Sequence, residues 1–176
     1  MQKDGDVIMN NIKLVKVDNS NVDYDLLYSW CQDKNVYEWF EQRVLTKEEI
    51  INKYNNKLNN SDQTLLYIDK DNTHIGLVQF YKSDYEYETY NNIYEYDLFI
   101  GDVSSLSKGI GTVVVSMINK MLFDDFDADL IVLRPFKRNV RACKCYEKCS
   151  FKLIDEYDDV DTLGNKEKYC VYINNR

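Results

Sequence analysis

The sequence has few of the residues on which several common kinds of site depend. Its 176 residues include one histidine, one proline, six glycines and two alanines. The lone histidine, His74, argues against a Ser-His-Asp triad and against a metal site of several histidines. No apolar run approaches the roughly 18 residues that a transmembrane helix needs. We therefore expect neither kind of site and no membrane association.

Positive charge is also scarce. The chain carries 22 Lys and Arg residues against 30 Asp and Glu residues, a formal net charge of −8. Nucleic-acid binding without sequence preference needs a basic face that displaces counterions, and docking on anionic lipid needs charge of the same sign. The balance argues against both and favours a cationic partner or substrate.

The cysteine count and the N-terminal residues bear on the compartment. Five cysteines are an odd number, and residues 1–6 are polar, with no apolar signal region. We therefore expect a protein of the reducing cytoplasm. Residues 1–10 are expected to form a flexible extension of one domain that covers residues 1–176, since no linker or repeat divides the chain.

Residue patterns predict an α/β (α+β) fold with a central, mixed and mostly antiparallel sheet flanked by helices. Apolar–polar alternation and short apolar runs predict strands, and apolar residues at helical spacing predict helices. A capping box from Thr46 to Glu49 starts one of the helices. Strands are predicted over 11–17, 64–69, 73–81, 93–100, 130–133, 151–157 and 169–173, and the other helices over 22–32, 35–42, 109–126 and 139–149.

A glycine-containing loop carries the first chemical signal. It follows the strand over 93–100, and its end, with Gly109 and Gly111, opens a helix. Glycines let backbone N–H groups approach a ligand, and a helix N-terminus carries about +0.5 of a charge. The loop lacks the Lys-Ser/Thr ending of a Walker loop and the third glycine of a dinucleotide fingerprint. It predicts an anion cradle suited to a pyrophosphate, and a flexible helix start is the alternative.

About 30 residues later a second motif follows, and the two together resemble the GNAT superfamily of acetyl-CoA-dependent N-acetyltransferases. The pyrophosphate loop of that family matches residues 106–111, with Leu106 departing from the pattern at its first position. The later family motif matches Asn139, Ala142, Tyr146 and Phe151. Ser150 stands where the family usually has glycine. A residue just past a helix end needs a positive φ, so the serine is expected to cost about 1 kcal/mol.

Within that superfamily the chain looks most like the aminoglycoside 6′-N-acetyltransferases. Residues 97–101, 106–112 and 141–148 follow sequence runs that are typical of this branch, and residues 37–40 resemble an aromatic segment that shapes its acceptor pocket. One position departs. Several members carry Asp immediately before the proline of the second motif, where it contacts sugar amines, and this chain carries Arg134.

The resemblance implies roles for individual residues. Tyr146 is the acid near the sulfur, a role that suits a phenol, since it is protonated at pH 7. Asp97 orients the attacking amine and accepts its proton. The alternatives are a packing role for Tyr146 and a solvated edge position for Asp97. The coenzyme contacts implied are Phe99, Ile100, Leu106, Ser107, Lys108, Gly109, Ile110, Gly111, Thr112 and Asn139, although Asn139 as a plain helix N-cap is identical in sequence.

On the acceptor side, aromatic and acidic residues interleave. Phenols can cover sugar faces and carboxylates can meet ammonium groups, but a solvated acidic loop explains the same run of residues over 81–96. The residues expected to contact the acceptor are Trp39, Phe40, Tyr81, Glu95 and Asp97.

A metal or redox site at Cys143, Cys145 and Cys149 is not expected. At 100° per residue one helix cannot aim all three thiols at one ion, so these are read as ordinary buried or half-buried thiols. No metal is expected elsewhere.

The sequence thus predicts a cytoplasmic enzyme that uses acetyl-CoA to acetylate a primary amine of a small cationic molecule, with the 6′-amine of an aminoglycoside foremost. Alternatives are an acetyltransferase for polyamines or protein amines and a non-catalytic acetyl-CoA-binding module. A monomer and a homodimer are both compatible with the sequence.

Overall fold

A computed structural model describes residues 11–176. The predicted N-terminal extension, residues 1–10, lies outside the described residues, and the extent of the domain over 1–176 stays a prediction. The strands are β1 (Ile12–Lys16), β2 (Gln63–Lys70), β3 (Thr73–Lys82), β4 (Ile93–Ile100), β5 (Leu130–Leu133), β6 (Lys152–Val160) and β7 (Lys166–Asn175). The helices are α1 (Tyr24–Cys31), α2 (Lys34–Tyr37), α3 (Lys47–Leu58), α4 (Ile110–Asp125) and α5 (Val140–Lys148).

Across residues 11–176 the seven strands form one sheet in the order β1-β2-β3-β4-β5-β7-β6. Every neighbouring pair is antiparallel except β4 and β5. The predicted α/β fold with a mixed, mostly antiparallel sheet is confirmed. The sheet separates two hydrophobic cores, one formed with α1 and α3 and the other with α4 and α5.

Most element boundaries agree with the sequence pattern, and the strand over 93–100 matches residue for residue. The capping box is present, since Thr46 accepts a bond from the Glu49 N–H and the Glu49 carboxylate accepts one from the Thr46 N–H.

The helix predicted over 35–42 was wrong in extent, because α2 ends at Tyr37. Gln42 has a positive φ of 53°, which a right-handed helix does not tolerate. The two aromatics that follow α2 have separate partners: Phe40 packs edge-on against Phe99, and Trp39 lies under the Arg138 guanidinium. Tertiary packing thus ends the helix early, and the segment 39–42 packs against other elements instead of continuing it.

The sheet opens between β4 and β5. The two strands pair over only three residues of β4, from Ile93 to Glu95. On its other side β5 pairs with β7, and beyond Leu133 the chain continues along β7: the Pro135 carbonyl accepts a bond from the Cys170 N–H, and Phe136 bridges Tyr169. Proline has no N–H to continue a ladder. Within the described residues the second half of β4 is therefore paired on its β3 side alone, and a wedge-shaped gap forms.

The C-terminus of α5 has the full Schellman arrangement. The Phe151 N–H donates to the Tyr146 carbonyl, and the Ser150 N–H donates to the Glu147 carbonyl. The Tyr146 and Phe151 rings pack with centroids 5.8 Å apart. Ser150 has a φ of 69°, so the positive φ expected at this position is confirmed.

Relief of that strain gives a first prediction. Ser150→Gly should raise the free energy of unfolding by about 1 kcal/mol, because glycine adopts a positive φ without the steric cost of a Cβ. Urea denaturation measures the change. Ser150→Ala is the matched control and should give no gain, since it keeps the Cβ; equal midpoints for the glycine and alanine variants would contradict the strain.

Candidate active site

A cavity of about 810 Å³ occupies the gap between β4 and β5. Its walls come from the second half of β4, the first turn of α4, α5 and the segment 39–42. The predicted site residues that line it are Trp39, Phe40, Asp97, Phe99, Ile100, Leu106, Ser107, Gly109, Ile110, Gly111, Thr112, Asn139 and Tyr146. The structure thus brings together residues from five separate stretches of the chain.

Three predicted residues do not line this cavity. Lys108 is exposed, and its neighbours Ser107 and Gly109 contribute to the wall. Tyr81 and Glu95 lie opposite each other on β3 and β4, outside the lining. The contact expected of Lys108 is through its backbone, and the ligand contacts of all three residues stay predictions.

The start of α4 has the geometry of an anion cradle. Gly109 is its N-cap, with a φ of 77° and no side-chain cap, so the first N–H groups of the helix are free to meet a ligand. A Cβ added at Gly111 would lie in ordinary van der Waals contact with the Cys145 sulfur, at 3.6 Å, so α5 packs directly beside the first turn of α4. Ser107 also has a positive φ, of 61°, a feature that the sequence did not reveal.

Basic side chains of α5 line the cavity beside this cradle. Arg141, Lys144 and Lys148 contribute to the wall, and positions three, four and seven residues apart share one face of a helix. Together with the positive end of α4, they favour an anionic ligand at this end. The sequence analysis did not assign them, although their spacing is the signal that could have done so.

Tyr146 lies on a different side of α5, since it is two residues from both Lys144 and Lys148, and it is fixed by its aromatic neighbours Phe151 and Tyr172. Burial raises the pKa of Tyr146 well above the ordinary value of a phenol, and the nearby charge of Asp97 acts in the same direction. The hydroxyl therefore stays protonated at neutral pH and can act as a proton donor.

Asn139 is the N-cap of α5, and its side-chain oxygen accepts a bond from the Ala142 N–H at 3.2 Å. The cap alternative therefore describes the bond that is present. The residue also lines the cavity, so capping and ligand contact are compatible through different atoms of its amide.

The opposite end of the cavity is polar and contains Asp97. Its carboxylate accepts a bond of 2.8 Å from the side-chain amide of Gln79, and Gln79 accepts one of 2.7 Å from the Lys57 ammonium. Nearby, Lys53 pairs with Glu41. All four of these neighbours line the cavity, and sequence reasoning assigned none of them because they lie on other elements.

The turn between β6 and β7 closes the cavity against the segment 39–42. The Thr162 hydroxyl donates to the Glu41 carbonyl at 2.8 Å, and the Thr162 N–H donates to the Gln42 side chain at 3.1 Å. Asp161 shapes the turn by accepting bonds from the N–H groups of Leu163 and Asn165. Two segments about 120 residues apart in sequence thus form one wall.

Arg134, which lines the cavity, forms an ion pair with Glu95 behind it. Two guanidinium nitrogens donate to the two carboxylate oxygens at 2.9 and 2.7 Å, and the Ser83 hydroxyl donates to the carboxylate at 3.0 Å. The pairing raises the pKa of Arg134 above its ordinary value. Glu95 is 5% exposed. Arg134 therefore neutralises a buried carboxylate, and both oxygens of Glu95 accept hydrogen bonds from it.

The cysteines are free thiols, and Cys143 and Cys149 are buried. Cys145 is half-buried, lines the cavity and lies 3.7 Å from the Thr112 hydroxyl. No group of three or more His, Cys, Asp or Glu side chains within residues 11–176 could hold a metal ion. In the same range, no helix is both long enough and apolar enough to cross a membrane.

Known proteins resemble this chain in sequence and in fold. A family described as "Acetyltransferase (GNAT) domain" matches residues 19–159. An aminoglycoside N(6′)-acetyltransferase type 1 of Klebsiella pneumoniae is 30% identical over 139 residues, which cover 74% of this chain and 69% of the relative.

Solved structures share the fold. A crystal structure of an aminoglycoside acetyltransferase, AAC(6′)-Ib, in complex with coenzyme A and kanamycin superposes with a TM-score of 0.77 at 24% identity, covering 94% of this chain and 95% of that one. Spermidine N-acetyltransferase from Vibrio cholerae, in complex with coenzyme A and spermine, gives a TM-score of 0.77 at 15% identity and the same coverage.

The ion pair between Arg134 and Glu95 leads to a prediction about stability. Arg134→Met should lower the free energy of unfolding by about 3 kcal/mol, because it leaves the buried Glu95 carboxylate without its partner. Denaturant unfolding measures the loss. The double variant Arg134→Met/Glu95→Gln removes the stranded charge and should recover part of the stability; a single variant as stable as the parent would show that the pair contributes nothing.

Proposed function

The chain belongs to the GNAT acetyltransferase family, and we propose that it transfers the acetyl group of acetyl-CoA directly to a primary amine of a small cationic acceptor. One observation carries the proposal: a single cavity contains an anion cradle, a protonated phenol at Tyr146 and a carboxylate at Asp97. These are the three groups that this reaction needs.

The donor half of the cavity suits acetyl-CoA. Its diphosphate would meet the free N–H groups at the start of α4, and its phosphates would be balanced by Arg141, Lys144 and Lys148. The open edge of β4 at Phe99 and Ile100 offers backbone groups to the amides of the pantetheine arm, which would lie beside it as an added strand does.

Each step of the acetyl transfer can be assigned to a group that lines this cavity. The acceptor amine must be neutral to attack the thioester carbonyl, and Asp97 accepts the proton that the amine loses, directly or through water. The backbone N–H of Ile100, on the open edge of β4, would stabilise the charge that develops on the carbonyl oxygen. As the carbon–sulfur bond breaks, the Tyr146 hydroxyl gives its proton to the leaving thiolate, so that free coenzyme A and the amide are the products.

For the acceptor, we propose the 6′-amine of an aminoglycoside. The curated relative named above supports this choice, and so do Trp39 and Phe40, whose rings can cover a sugar face. A polyamine is the second candidate, because the spermidine enzyme shares the fold and Asp97 can meet any ammonium. A cytoplasmic location and the choice between monomer and homodimer stay predictions.

The carboxylate role of Asp97 gives the main test. In Asp97→Asn, kcat/KM for the amine should fall by about 10²–10⁴-fold at pH 7, because the base is lost. Part of the loss should be recovered as the pH rises, since more of the amine is then already neutral. Steady-state thiol release with acetyl-CoA and kanamycin, or spermidine, measures both effects.

The Michaelis constant for acetyl-CoA serves as the internal control, because the coenzyme meets the neighbouring backbone. Equal values of kcat/KM for wild type and Asp97→Asn across the pH range would remove Asp97 from the mechanism. Absence of thiol release by the wild-type protein with every amine would instead favour a non-catalytic acetyl-CoA-binding module. Turnover with spermidine alone would replace the aminoglycoside by a polyamine.

Tyr146 gives an independent test. Tyr146→Phe should lower kcat by at least about tenfold and leave both Michaelis constants within about threefold, because the hydroxyl acts mainly as the thiolate leaves. The ring and its packing on Phe151 are preserved, so the thermal midpoint should not change. Wild-type turnover in this variant would reduce Tyr146 to a packing residue.

A further inference from the structure

A chain of two hydrogen bonds joins three elements at the acceptor end of the cavity. The Lys57 ammonium, in the last turn of α3, donates to the Gln79 side-chain oxygen at 2.7 Å. The Gln79 side-chain nitrogen, on β3, donates to Oδ2 of Asp97 on β4 at 2.8 Å. The proposed reaction uses Asp97 and leaves Lys57 and Gln79 without a task.

Donor and acceptor chemistry fixes the direction of this chain. A lysine ammonium can only donate, and an ionised carboxylate can only accept. Gln79 lies between them with one end of each kind, so its amide has a single orientation that satisfies both partners. A flipped amide would set donor against donor and acceptor against acceptor. Lys57 therefore decides which end of Gln79 faces Asp97.

The backbone holds the same three residues in place. Gln79 and Asp97 are directly opposite in the β3–β4 register, so their side chains emerge on one face of the sheet. Lys57 reaches that face from α3, whose Ile50 and Tyr54 are buried in the core below. These two hydrogen bonds therefore fix Oδ2 of Asp97 relative to the packed helix α3, and Oδ1 is left for another partner.

Other charged and titratable groups surround the chain. Lys53 of α3 pairs with Glu41 one turn away from Lys57, and Tyr81 and Tyr146 lie near Asp97. Burial lowers the pKa of Lys57, with a further contribution from Lys53, and Asp97 opposes the shift. Within residues 11–176, Lys57 is hydrogen-bonded to Gln79, and the surrounding groups Lys53, Glu41, Tyr81 and Tyr146 are not.

We propose that Lys57 and Gln79 are positioning residues for the acceptor side of the reaction: Lys57 fixes the orientation of the Gln79 amide, and Gln79 holds Oδ2 of Asp97 so that Oδ1 faces the amine. The inference rests on the proposed role of Asp97. It adds a helix outside the two sequence motifs to the machinery that receives the amine.

Substitution of Lys57 tests this role. Lys57→Met removes the donor that orients the Gln79 amide, so kcat/KM for the acceptor should fall about tenfold or more. Lys57→Arg keeps a donor at this position and should restore most of the activity. The Michaelis constant for acetyl-CoA should not change.

Lys47→Met is the matched control. It makes the same chemical change at the start of the same helix, where Lys47 pairs with the exposed Asp25. It should leave kcat/KM for the acceptor as in wild type. Gln79→Met removes both hydrogen bonds at similar side-chain length and should lose activity as Lys57→Met does. Thermal midpoints of all variants identify any loss that comes from unfolding.

The outcomes distinguish this inference from the proposed function. If Asp97→Asn is inactive while kcat/KM of Lys57→Met stays within twofold of wild type, the positioning role is wrong and the function stands. If Asp97→Asn is as active as wild type, both fail.

A spectroscopic readout does not depend on turnover. The ¹H–¹⁵N resonances of the Gln79 side-chain amide, assigned by their absence from Gln79→Met, should differ between wild type and Asp97→Asn, because the amide then donates to an uncharged acceptor. They should also move in Lys57→Met and stay in place in Lys47→Met. Gln79 amide resonances that are the same in wild type and Asp97→Asn would overturn the inference directly.

Discussion

The hydrogen-bond ladder between β4 and β5 stops after three residue pairs, and the rest of the site depends on that stop. A sheet normally satisfies both edges of an inner strand, since unpaired backbone groups are costly when buried. Here the only proline of the chain follows β5 by two residues, and the backbone after it bonds to β7. The gap this opens receives side chains from both faces of the sheet, and it gives β4 an edge that a ligand can pair with.

Charge is sorted within the molecule against its overall balance. The chain has a net charge of −8, yet the cavity beside α4 is lined by Arg141, Lys144 and Lys148. Negative charge lies instead on the exposed β6 edge, where Asp155, Asp158 and Asp159 protect an outer strand from pairing with other chains. Net charge therefore describes the outer surface of this protein better than it describes the ligand site.

Much of the donor half could be predicted from the sequence, because its determinants are local. The strand before the loop, the two glycines, the cap at Asn139 and the phenol at Tyr146 lie in two short stretches, and the order of the motifs implies how they meet. The acceptor half depends on contacts between residues far apart in sequence. Lys57 and Gln79 are 22 residues apart, and Arg134 and Glu95 are 39 apart. No periodicity links such pairs, so the predicted contact of Glu95 with the acceptor missed its bond to Arg134. The helix predicted over 35–42 failed for the same reason, since Trp39 packs against Arg138, which precedes α5, and Phe40 packs against Phe99 on β4.

The Thr162 bridge has an evolutionary consequence. One wall of the acceptor end is made of two surface segments, and the hydrogen bonds of a single threonine join them. Neither segment belongs to the sheet or to the cradle at α4, so mutations there change the shape offered to the acceptor while the coenzyme half keeps its geometry. Selection for new acceptors can then proceed through loop substitutions that leave the folding of the domain intact. Descendants of such a chain would diverge first in what they acetylate and last in how they hold the donor.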